Sequence, residues 1–200
     1  MIGKIVVFIV SYFLGAFPSG YVIGMKFCNV NIMEHGSKNV GSTNTLRVLG
    51  PKVAAVVFAL DLGKGFLAAF LGNLAGGPTF SVITGALAIF AHTFSVFIHF
   101  KGGKGVATGA GAMFFWCPPA ILCALGVWVI LALFTGYVSV ASILACISCV
   151  LFLILFHGTL PQIIFSALIV CYIIWKHRSN ISRLLNGTEN RIDWKAKFKK

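Results

Sequence analysis

The chain alternates between long apolar stretches and short polar segments, a pattern that predicts membrane-spanning helices. A helix needs about 17 to 25 apolar residues to cross a bilayer. Four stretches have that length, namely Ile5 to Met25, Val53 to Leu74, Phe80 to Phe100 and Val138 to Phe156. Two shorter ones run from Ala120 to Phe134 and from Pro161 to Trp175. Hydropathy alone therefore indicates six crossings.

The positions of Lys and Arg indicate a seventh crossing. Eight of the sixteen cations lie in the last 25 residues, and the polar segments around Arg47 and Lys104 carry others. Basic loops collect on the cytoplasmic side, yet six crossings would put both loops inside and the basic tail outside. We therefore predict that Val106–Trp116 crosses as a short, Gly-rich fourth helix, which protein must shelter because it spans only about 16 Å. The amino terminus is then outside and the carboxyl terminus cytoplasmic.

Composition narrows the class of protein. With 58% hydrophobic and 10% charged residues, against about 25% charged in soluble domains, the sequence predicts an all-α integral membrane protein. We predict one membrane domain over residues 1–200, with a basic cytoplasmic tail over 186–200. The net charge of +12 would also suit nucleic acid, but no soluble basic module separates the apolar runs, so we expect a lipid bilayer and no nucleic acid as partner. Four carboxylates in the chain are too few for a two-metal centre, and we expect no metal and no cofactor.

The first polar segment, Glu34–Arg47, has the composition of an anion-binding loop. Its glycines permit tight turns, and its hydroxyl and amide groups can donate hydrogen bonds. One of residues 42–44 is predicted to cap a short helix that carries Arg47, with free N–H groups directed at a phosphate. The side chains that offer these donors are Ser37, Asn39, Ser42, Thr43 and Asn44. An ordinary polar loop is the alternative interpretation.

The second and third polar segments lie on the same predicted side. The second, His92–Thr108, contains Gly102, Gly103, Lys104 and Gly105 at the start of the predicted fourth helix. Backbone amides and an ammonium group at a helix amino terminus make a second candidate anion site, although a simple turn with a cytoplasmic lysine is the alternative. In the third, Trp175–Glu189, His177 and Asn180 share a helical face. Amphipathic contact with lipid headgroups is the alternative there.

Two polar features lie inside predicted crossings. Asp61 and Lys64 are one turn apart, and we expect them to pair because isolated charges are costly in lipid. Ser142 lies one turn into the sixth predicted helix, at the depth of the two anion sites. A serine in that position usually bonds back to its own helix, so contact with a ligand and a bond within the helix both remain open.

Two anion sites beside a membrane indicate either one ligand with two phosphates or two phosphorylated ligands, and acyl transfer fits the second case. In acyl transfer, an acyl phosphate brings an activated carboxyl group and a phosphorylated alcohol brings the attacking hydroxyl. Holding both phosphates brings the reacting groups together, and Lys104 or backbone amides can stabilise the oxyanion. A transporter would need a midplane site with gates on both faces, and a CDP-alcohol phosphatidyltransferase would need an aspartate cluster that is missing. A structural membrane subunit would leave the three polar segments unexplained.

Residues 37–50, 100–108 and 177–189 resemble the signature segments of a known family. They have the sequences S-x-N-x-G-x-T-N-x-x-R-x-x-G, F-K-G-G-K-G-V-A-T and H-R-x-N-I-x-R-L-x-x-G-T-E. The family is the bacterial membrane glycerol-3-phosphate acyltransferases that use acyl phosphate. The resemblance implies a seven-helix inner-membrane enzyme that acylates the 1-hydroxyl of glycerol-3-phosphate, giving lysophosphatidic acid and inorganic phosphate in the first step of phospholipid synthesis. It also implies that neither acyl-CoA nor acyl carrier protein is required.

The resemblance assigns roles to individual positions. The implied catalytic residues are Ser37, Arg47, His92 and Lys104. The implied substrate-binding residues are Ser37, Asn39, Gly41, Thr43, Asn44, Arg47, Gly102, Gly103, Lys104, Gly105, Ser142, His177 and Asn180. The proton acceptor stays open between His92 and a phosphate of the substrate, and we favour the phosphate. Ala91, Ser95 and His99 depart from the family pattern, which predicts an altered helix end before the second segment.

Overall fold

The computed structural model describes residues 1–192, which form α-helices and contain no β-strand. The helices are α1 (Ile2–Ala16), α2 (Ser19–Cys28), α3 (Ser42–Leu49), α4 (Pro51–Thr93), α5 (Val106–Trp116), α6 (Pro118–Thr135), α7 (Val138–Leu155), α8 (Leu160–Lys176) and α9 (Arg178–Leu185). The chain divides into two compact units, the first over Met1–Phe115 and the second beginning at Trp116. The single domain stays a prediction, and residues 193–200 of the predicted basic tail lie outside the described residues.

Three described helices are long and apolar enough to span a membrane, namely α4, α6 and α7. The number rises to five if each of two bent pairs, α1 with α2 and α8 with α9, forms one span. Helix α5 is apolar but shorter, and its bounds are those predicted from the sequence. The all-α class is confirmed, whereas the seven crossings and their orientation stay predictions.

Helix α4 is a hairpin and not one straight helix. At Gly77 the backbone leaves helical geometry, with φ 76° and ψ −171°. Beyond that point the Ser81 hydroxyl donates to the Ala69 carbonyl at 2.7 Å and the Thr84 hydroxyl donates to the Ala68 carbonyl at 2.8 Å. Twelve residues of straight helix would place such groups about 18 Å apart. The two arms are therefore antiparallel and correspond to the second and third predicted crossings.

The third predicted crossing, Phe80 to Phe100, was predicted to end several residues later than the helix does. Helix α4 ends at Thr93, and a short 3-10 turn, Val96–Ile98, follows it. His99 and Phe100 adopt left-handed backbone conformations, with φ 52° and 61°, which a right-handed helix cannot contain. The apolar residues up to Phe100 therefore belong to a loop, contrary to the prediction from hydropathy.

The first predicted crossing is broken. Helices α1 and α2 meet at a bend of 51° around Pro18, because proline has no N–H with which to continue the helical hydrogen bonds. Such a break leaves carbonyl groups without partners, which is costly in lipid. Here Lys64 donates to the Phe17 carbonyl at 2.9 Å, and Ser95 donates to the Ala16 carbonyl. Polar side chains of α4 and of the segment after it therefore stabilise the bend.

Helix α5 packs against α4 with backbone in contact. A Cβ on Gly65 would lie 1.9 Å from the carbonyl oxygen of Thr108, and a Cβ on Gly111 would lie 1.9 Å from that of Leu62. Small residues at these positions allow the two helices to approach closely, as is common between helices in membranes. One face of α5 is thus covered by protein, as the sequence predicted for so short a helix.

In the second unit, α6 and α7 form a hairpin whose turn binds the end of the described chain. Gly136 ends α6 with φ 73°. The N–H of Ile192 donates to the Gly136 carbonyl at 2.9 Å, and Arg191 donates to the Thr135 carbonyl at 3.0 Å. We call residues 186–192 the terminal strap, because they return from α9 to this turn.

Candidate active site

The first loop, residues 32–41, is held in shape by Asn44. This side chain is 1% exposed. Its Oδ1 accepts from the N–H of Ser37 at 2.8 Å, and its Nδ2 donates to two loop carbonyls at 3.0 and 3.1 Å. Gly36 has φ 59°, and a Cβ there would lie 2.4 Å from Asn44 Oδ1. Asn44 therefore shapes the loop, and its contact with a substrate stays a prediction.

Helix α3 begins where the first loop ends. Gly41 occupies the N-cap position and no side chain caps the helix, so the predicted cap at residues 42–44 is wrong. The reason is local, since the Asn39 side chain accepts the Gly41 N–H at 3.0 Å and so supports the chain just before the helix. The first N–H groups of a helix have no partner within it. Those of Ser42 and Thr43 are therefore available to a ligand.

Three predicted site residues on or near α3 provide donors. Ser37, Thr43 and Arg47 are all half-buried. The hydroxyls of Ser37 and Thr43 make no hydrogen bond within residues 1–192. Arg47 follows Thr43 by four residues and so shares its face of the helix. Hydroxyl, guanidinium and backbone donors together suit an oxyanion such as a phosphate.

The second loop, residues 94–105, packs on the end of α4. The N–H groups of Gly102 and Gly103 donate to the last carbonyls of α4 at 3.2 and 3.0 Å. A Cβ at either position would lie 2.0 to 2.1 Å from an atom of His92, so only glycine fits. The half-buried Lys104 follows, and Gly105, with φ 85°, precedes the first turn of α5. The loop thus places a cation at a helix amino terminus, as the sequence predicted.

Asn39 joins the two loops. Its Oδ1 accepts from Gly41, and its Nδ2 donates to the carbonyl of Gly102 at 3.5 Å, a long hydrogen bond. The segments that lead into α3 and α5 are therefore in contact within the first unit. Each helix start contributes N–H groups; Lys104 lies just before α5, whereas Arg47 lies in the last turn of α3 on the face of Thr43. The site consequently offers two places for an anion.

A buried charged cluster lies behind the second loop. Asp61, 1% exposed, accepts from Lys64 Nζ at 2.8 Å and from the Ser19 hydroxyl. The predicted pairing of Asp61 with Lys64 is thereby confirmed. His92 faces the same carboxylate, with 3.7 Å between Nδ1 and Oδ1. Ser19 was missed, because one serine beside a proline gives no sequence signal for a partner 42 residues away.

Glu189 organises the third polar segment in the second unit. Its Oε1 accepts from Asn180 at 2.6 Å and from Ser139 at 2.8 Å, and its Oε2 accepts from Arg183 at 2.7 Å. Burial alone would raise the pKa of Glu189, but these hydrogen bonds and the charge of Arg183 outweigh burial and hold the pKa below its usual value. The carboxylate stays charged at neutral pH and ties the terminal strap to α7 and α9.

The predicted site residues of the second unit are all buried. His177 Nδ1 lies 2.8 Å from the carbonyl oxygen of Ile173, and Asn180 donates to Glu189. Arg178, between the two, is exposed, in agreement with the predicted shared face of His177 and Asn180. Ser142 accepts a hydrogen bond from the indole N–H of Trp128 at 3.1 Å, a partner that sequence reasoning missed.

The structure thus brings most of the predicted site together in the first unit. That group comprises Ser37, Asn39, Gly41, Thr43, Asn44, Arg47, His92, Gly102, Gly103, Lys104 and Gly105. The second unit holds Ser142, His177 and Asn180. Ser139, Trp128 and Glu189 support this second group, and only Glu189 carried a sequence signal, as the sole carboxylate at a signature segment.

Relatives of this chain share one description. Residues 5–187 match the family described as glycerol-3-phosphate acyltransferase. The glycerol-3-phosphate acyltransferase of Fusobacterium nucleatum is 44% identical over 187 residues, which cover 92% of this chain and 95% of that protein. The one from Geobacillus kaustophilus is 37% identical, with 96% and 97% covered.

Crystal structures of PlsY, an integral membrane glycerol 3-phosphate acyltransferase, have the same fold. Its glycerol 3-phosphate form matches with a TM-score of 0.92 at 38% identity, covering 98% of this chain and 99% of PlsY. Its lysophosphatidic acid form matches with a TM-score of 0.88 at 39% identity, covering 94% and 95%. The predicted integral membrane class and the predicted resemblance are confirmed. The chain therefore belongs to the glycerol-3-phosphate acyltransferase family.

Proposed function

We propose that the protein transfers a fatty acyl group from acyl phosphate to the 1-hydroxyl of glycerol-3-phosphate, releasing lysophosphatidic acid and inorganic phosphate. The observation that carries the proposal is the hydrogen bond between Asn39 and Gly102. It joins the segments that precede α3 and α5. With Arg47 in the last turn of α3 and Lys104 just before α5, this arrangement favours two phosphorylated substrates over one. The two ligand forms of PlsY, with glycerol 3-phosphate and with lysophosphatidic acid, match the acceptor and the product of this reaction.

The proposed chemistry relies on positioning and on stabilisation of charge. The hydroxyl oxygen attacks the acyl carbonyl carbon, and the bond from that carbon to the bridging phosphate oxygen breaks. Inorganic phosphate leaves, and the hydroxyl proton passes to a phosphate oxygen of the substrate. Lys104 and the N–H groups at the start of α5 stabilise the oxyanion and the leaving phosphate. Ser37, Thr43 and Arg47 hold the other phosphate, which keeps the hydroxyl near the carbonyl.

The remaining features of the proposal concern partners and location. Ser142, His177 and Asn180 are proposed as further substrate-binding residues in the second unit. Neither acyl-CoA nor acyl carrier protein takes part, and no cofactor or metal is needed. We place the enzyme in the bacterial inner membrane with seven crossings. Its active site opens to the cytoplasm, because the segment from Lys26 to Lys52 and the second loop carry the basic residues typical of that side.

Acyl transfer by the purified protein in lipid tests the proposal. Palmitoyl phosphate and radiolabelled glycerol-3-phosphate are supplied, with palmitoyl-CoA as a parallel donor. We expect labelled lysophosphatidic acid from the phosphate donor alone. Product from palmitoyl-CoA would contradict the proposed donor. No product from either donor, with folded protein, would favour a transporter, and uptake of labelled glycerol-3-phosphate into vesicles would then follow.

Single substitutions connect this activity to the site. Arg47→Ala and Lys104→Ala should each lower kcat/KM at least about 100-fold, the loss typical of removing one donor to a developing charge. Lys101→Ala is the matched control, because this lysine lies three residues from Lys104 and is exposed. It should retain activity within about threefold of wild type. Equal losses at Lys101 and Lys104 would show that the loop supplies only general positive charge.

A further inference from the structure

We infer that His92 is a positioning residue, whose imidazole ring supports the backbone of Gly103 and thereby fixes Lys104. The inference deepens the proposed function and rests on it, because the position of Lys104 matters to catalysis only if this loop binds a substrate phosphate. It gives His92 a role other than that of general base.

The contact between His92 and Gly103 is the first observation. Gly103 is buried, and a Cβ on it would lie 2.1 Å from Nε2 and 2.8 Å from Cε1 of the His92 ring. The glycine backbone therefore lies directly against the ring. The N–H of Gly103 also donates to the His92 carbonyl at 3.0 Å. His92 thus holds the residue before Lys104 by both its main chain and its side chain.

The opposite edge of the ring is also fixed. His92 Nδ1 lies 3.7 Å from Asp61 Oδ1. Asp61 is itself held by Lys64 at 2.8 Å and by the Ser19 hydroxyl. Ser19 is the first residue of α2, and Lys64 of α4 also donates to the Phe17 carbonyl at the bend. The position of the ring is therefore set by the packing of α2 against α4. The helix bend and the second loop are in this way joined through a single carboxylate and a single imidazole.

This placement does not suit a general base. A base must come within hydrogen-bond distance of the hydroxyl that it deprotonates. The ring is in a residue only 6% exposed, its Nδ1 edge faces Asp61, and the Gly103 backbone lies against Nε2. A role in shaping the loop is consistent with both contacts of the ring, that of Nδ1 with Asp61 and that of Nε2 with Gly103.

A double-mutant cycle tests the inference. Gly103→Ala introduces a Cβ where the ring stands and should lower kcat/KM roughly 100-fold, since a small misplacement of binding groups can cost this much. His92→Ala should lower it about tenfold and keep the wild-type shape of the pH profile of kcat. Because removal of the ring makes room for the new methyl group, the double variant should fall within about threefold of His92→Ala alone. Independent effects would instead multiply to about 1000-fold.

Gly102→Ala is the matched control. A Cβ at Gly102 would lie 2.0 Å from the main-chain oxygen of His92 and not from its ring. His92→Ala cannot relieve that clash, so the losses in the Gly102 pair should multiply. The positioning role is wrong if His92→Ala restores activity to both glycine variants, or to neither of them. A folded His92→Ala protein that binds glycerol-3-phosphate but shows no turnover overturns it as well.

Thermal unfolding of the same variants separates the two proposals. If wild-type protein makes no lysophosphatidic acid, the proposed function fails whatever the variants do. The midpoint temperature still reports on the contact, because Gly103→Ala should lower it and His92→Ala should reverse part of that loss. If the wild type is active, but the effects of Gly103→Ala and His92→Ala are independent in both kcat/KM and the midpoint temperature, only the positioning role is wrong.

Discussion

Trp128 and Ser142 illustrate how one hydrogen bond can set the role of a site residue. An indole N–H donates and cannot accept, so Ser142 Oγ is the acceptor in their 3.1 Å bond. The hydroxyl proton of Ser142 then has no acceptor within residues 1–192. The Ser142 hydroxyl can therefore donate a hydrogen bond to a ligand oxygen, such as that of a phosphate or a carbonyl group.

We predict that Trp128→Phe lowers kcat/KM by about three- to tenfold, the range expected for loss of one hydrogen bond. The substitution keeps an aromatic side chain, although a smaller one, and removes the indole N–H that orients Ser142. Steady-state acyl transfer provides the measurement. In a Ser142→Ala background the same substitution should have no further effect, and a loss of equal size there would mean that Trp128 acts by packing alone.

At the scale of elements, the terminal strap depends on the charge of Glu189. Its pKa is below the usual value in the folded protein, so the charged form is bound more tightly in the native state than in the unfolded one. The stability that it contributes is therefore fully present above the ordinary glutamate pKa of about 4.3. That contribution is lost as the pH falls through the lower, folded pKa.

We predict that Glu189→Gln lowers the thermal midpoint at pH 7 by about 3 °C or more, which corresponds to about 1 kcal/mol in a chain of this size. The difference from wild type should shrink as the pH drops below about 4. Thermal scans between pH 3 and 7 measure it. Glu34→Gln is the control, since this carboxylate is exposed and accepts only from Asn31 in the described structure. A Glu189 effect that is constant with pH would contradict the charge-based account.

At the scale of the whole molecule, the uneven distribution of cations predicts which side each connection faces. The fold-back of α4 near Gly76 carries no charge, whereas the segment from Lys26 to Lys52 and the second loop are basic. With seven crossings, the fold-back and Cys117 face outward, and Gly103 and the carboxyl terminus face the cytoplasm.

Alkaline phosphatase fusions test this arrangement, because the reporter is active only outside the cytoplasm. Fusions after Gly76 and Cys117 should be active, and fusions after Gly103 and Lys200 should be inactive. The Cys117 fusion isolates the fourth crossing. An inactive reporter there, together with an active one at Lys200, would mean that α5 does not cross and that the chain has six spans.

Sequence patterns predicted helices better than they predicted the bonds between them. Apolar length located α7 to within one residue at its end, and the distribution of Lys and Arg indicated α5 at its observed bounds. The break at Pro18 was not predicted, because its cost is offset by Lys64 and Ser95, whose contact with it exists only in the folded chain. The loops were recognised by their residue types.

The roles of individual residues in the candidate site depend on their hydrogen-bond partners, which the sequence does not reveal. Asn44 looks like a ligand donor, yet its amide is used by the first loop. Gly41, and not a hydroxyl residue, occupies the N-cap position of α3, since Asn39 provides the support that a capping side chain would give. Glycine, lysine and arginine were easier to place because backbone approach and charge identify them without knowledge of their neighbours.

The bend at Pro18 has a consequence for the order of biosynthesis. The carbonyls of Ala16 and Phe17 are satisfied by side chains 79 and 47 residues later in the chain. At about 5 to 20 residues per second, the ribosome needs on the order of 4 to 16 seconds to supply Ser95 after Ala16. During that interval the Ala16 carbonyl lacks the donor that it has in the folded chain, whereas the Phe17 carbonyl can already accept from the N–H of Ser19. The amino-terminal third of the chain is thus completed as a structure only after the middle third has been made.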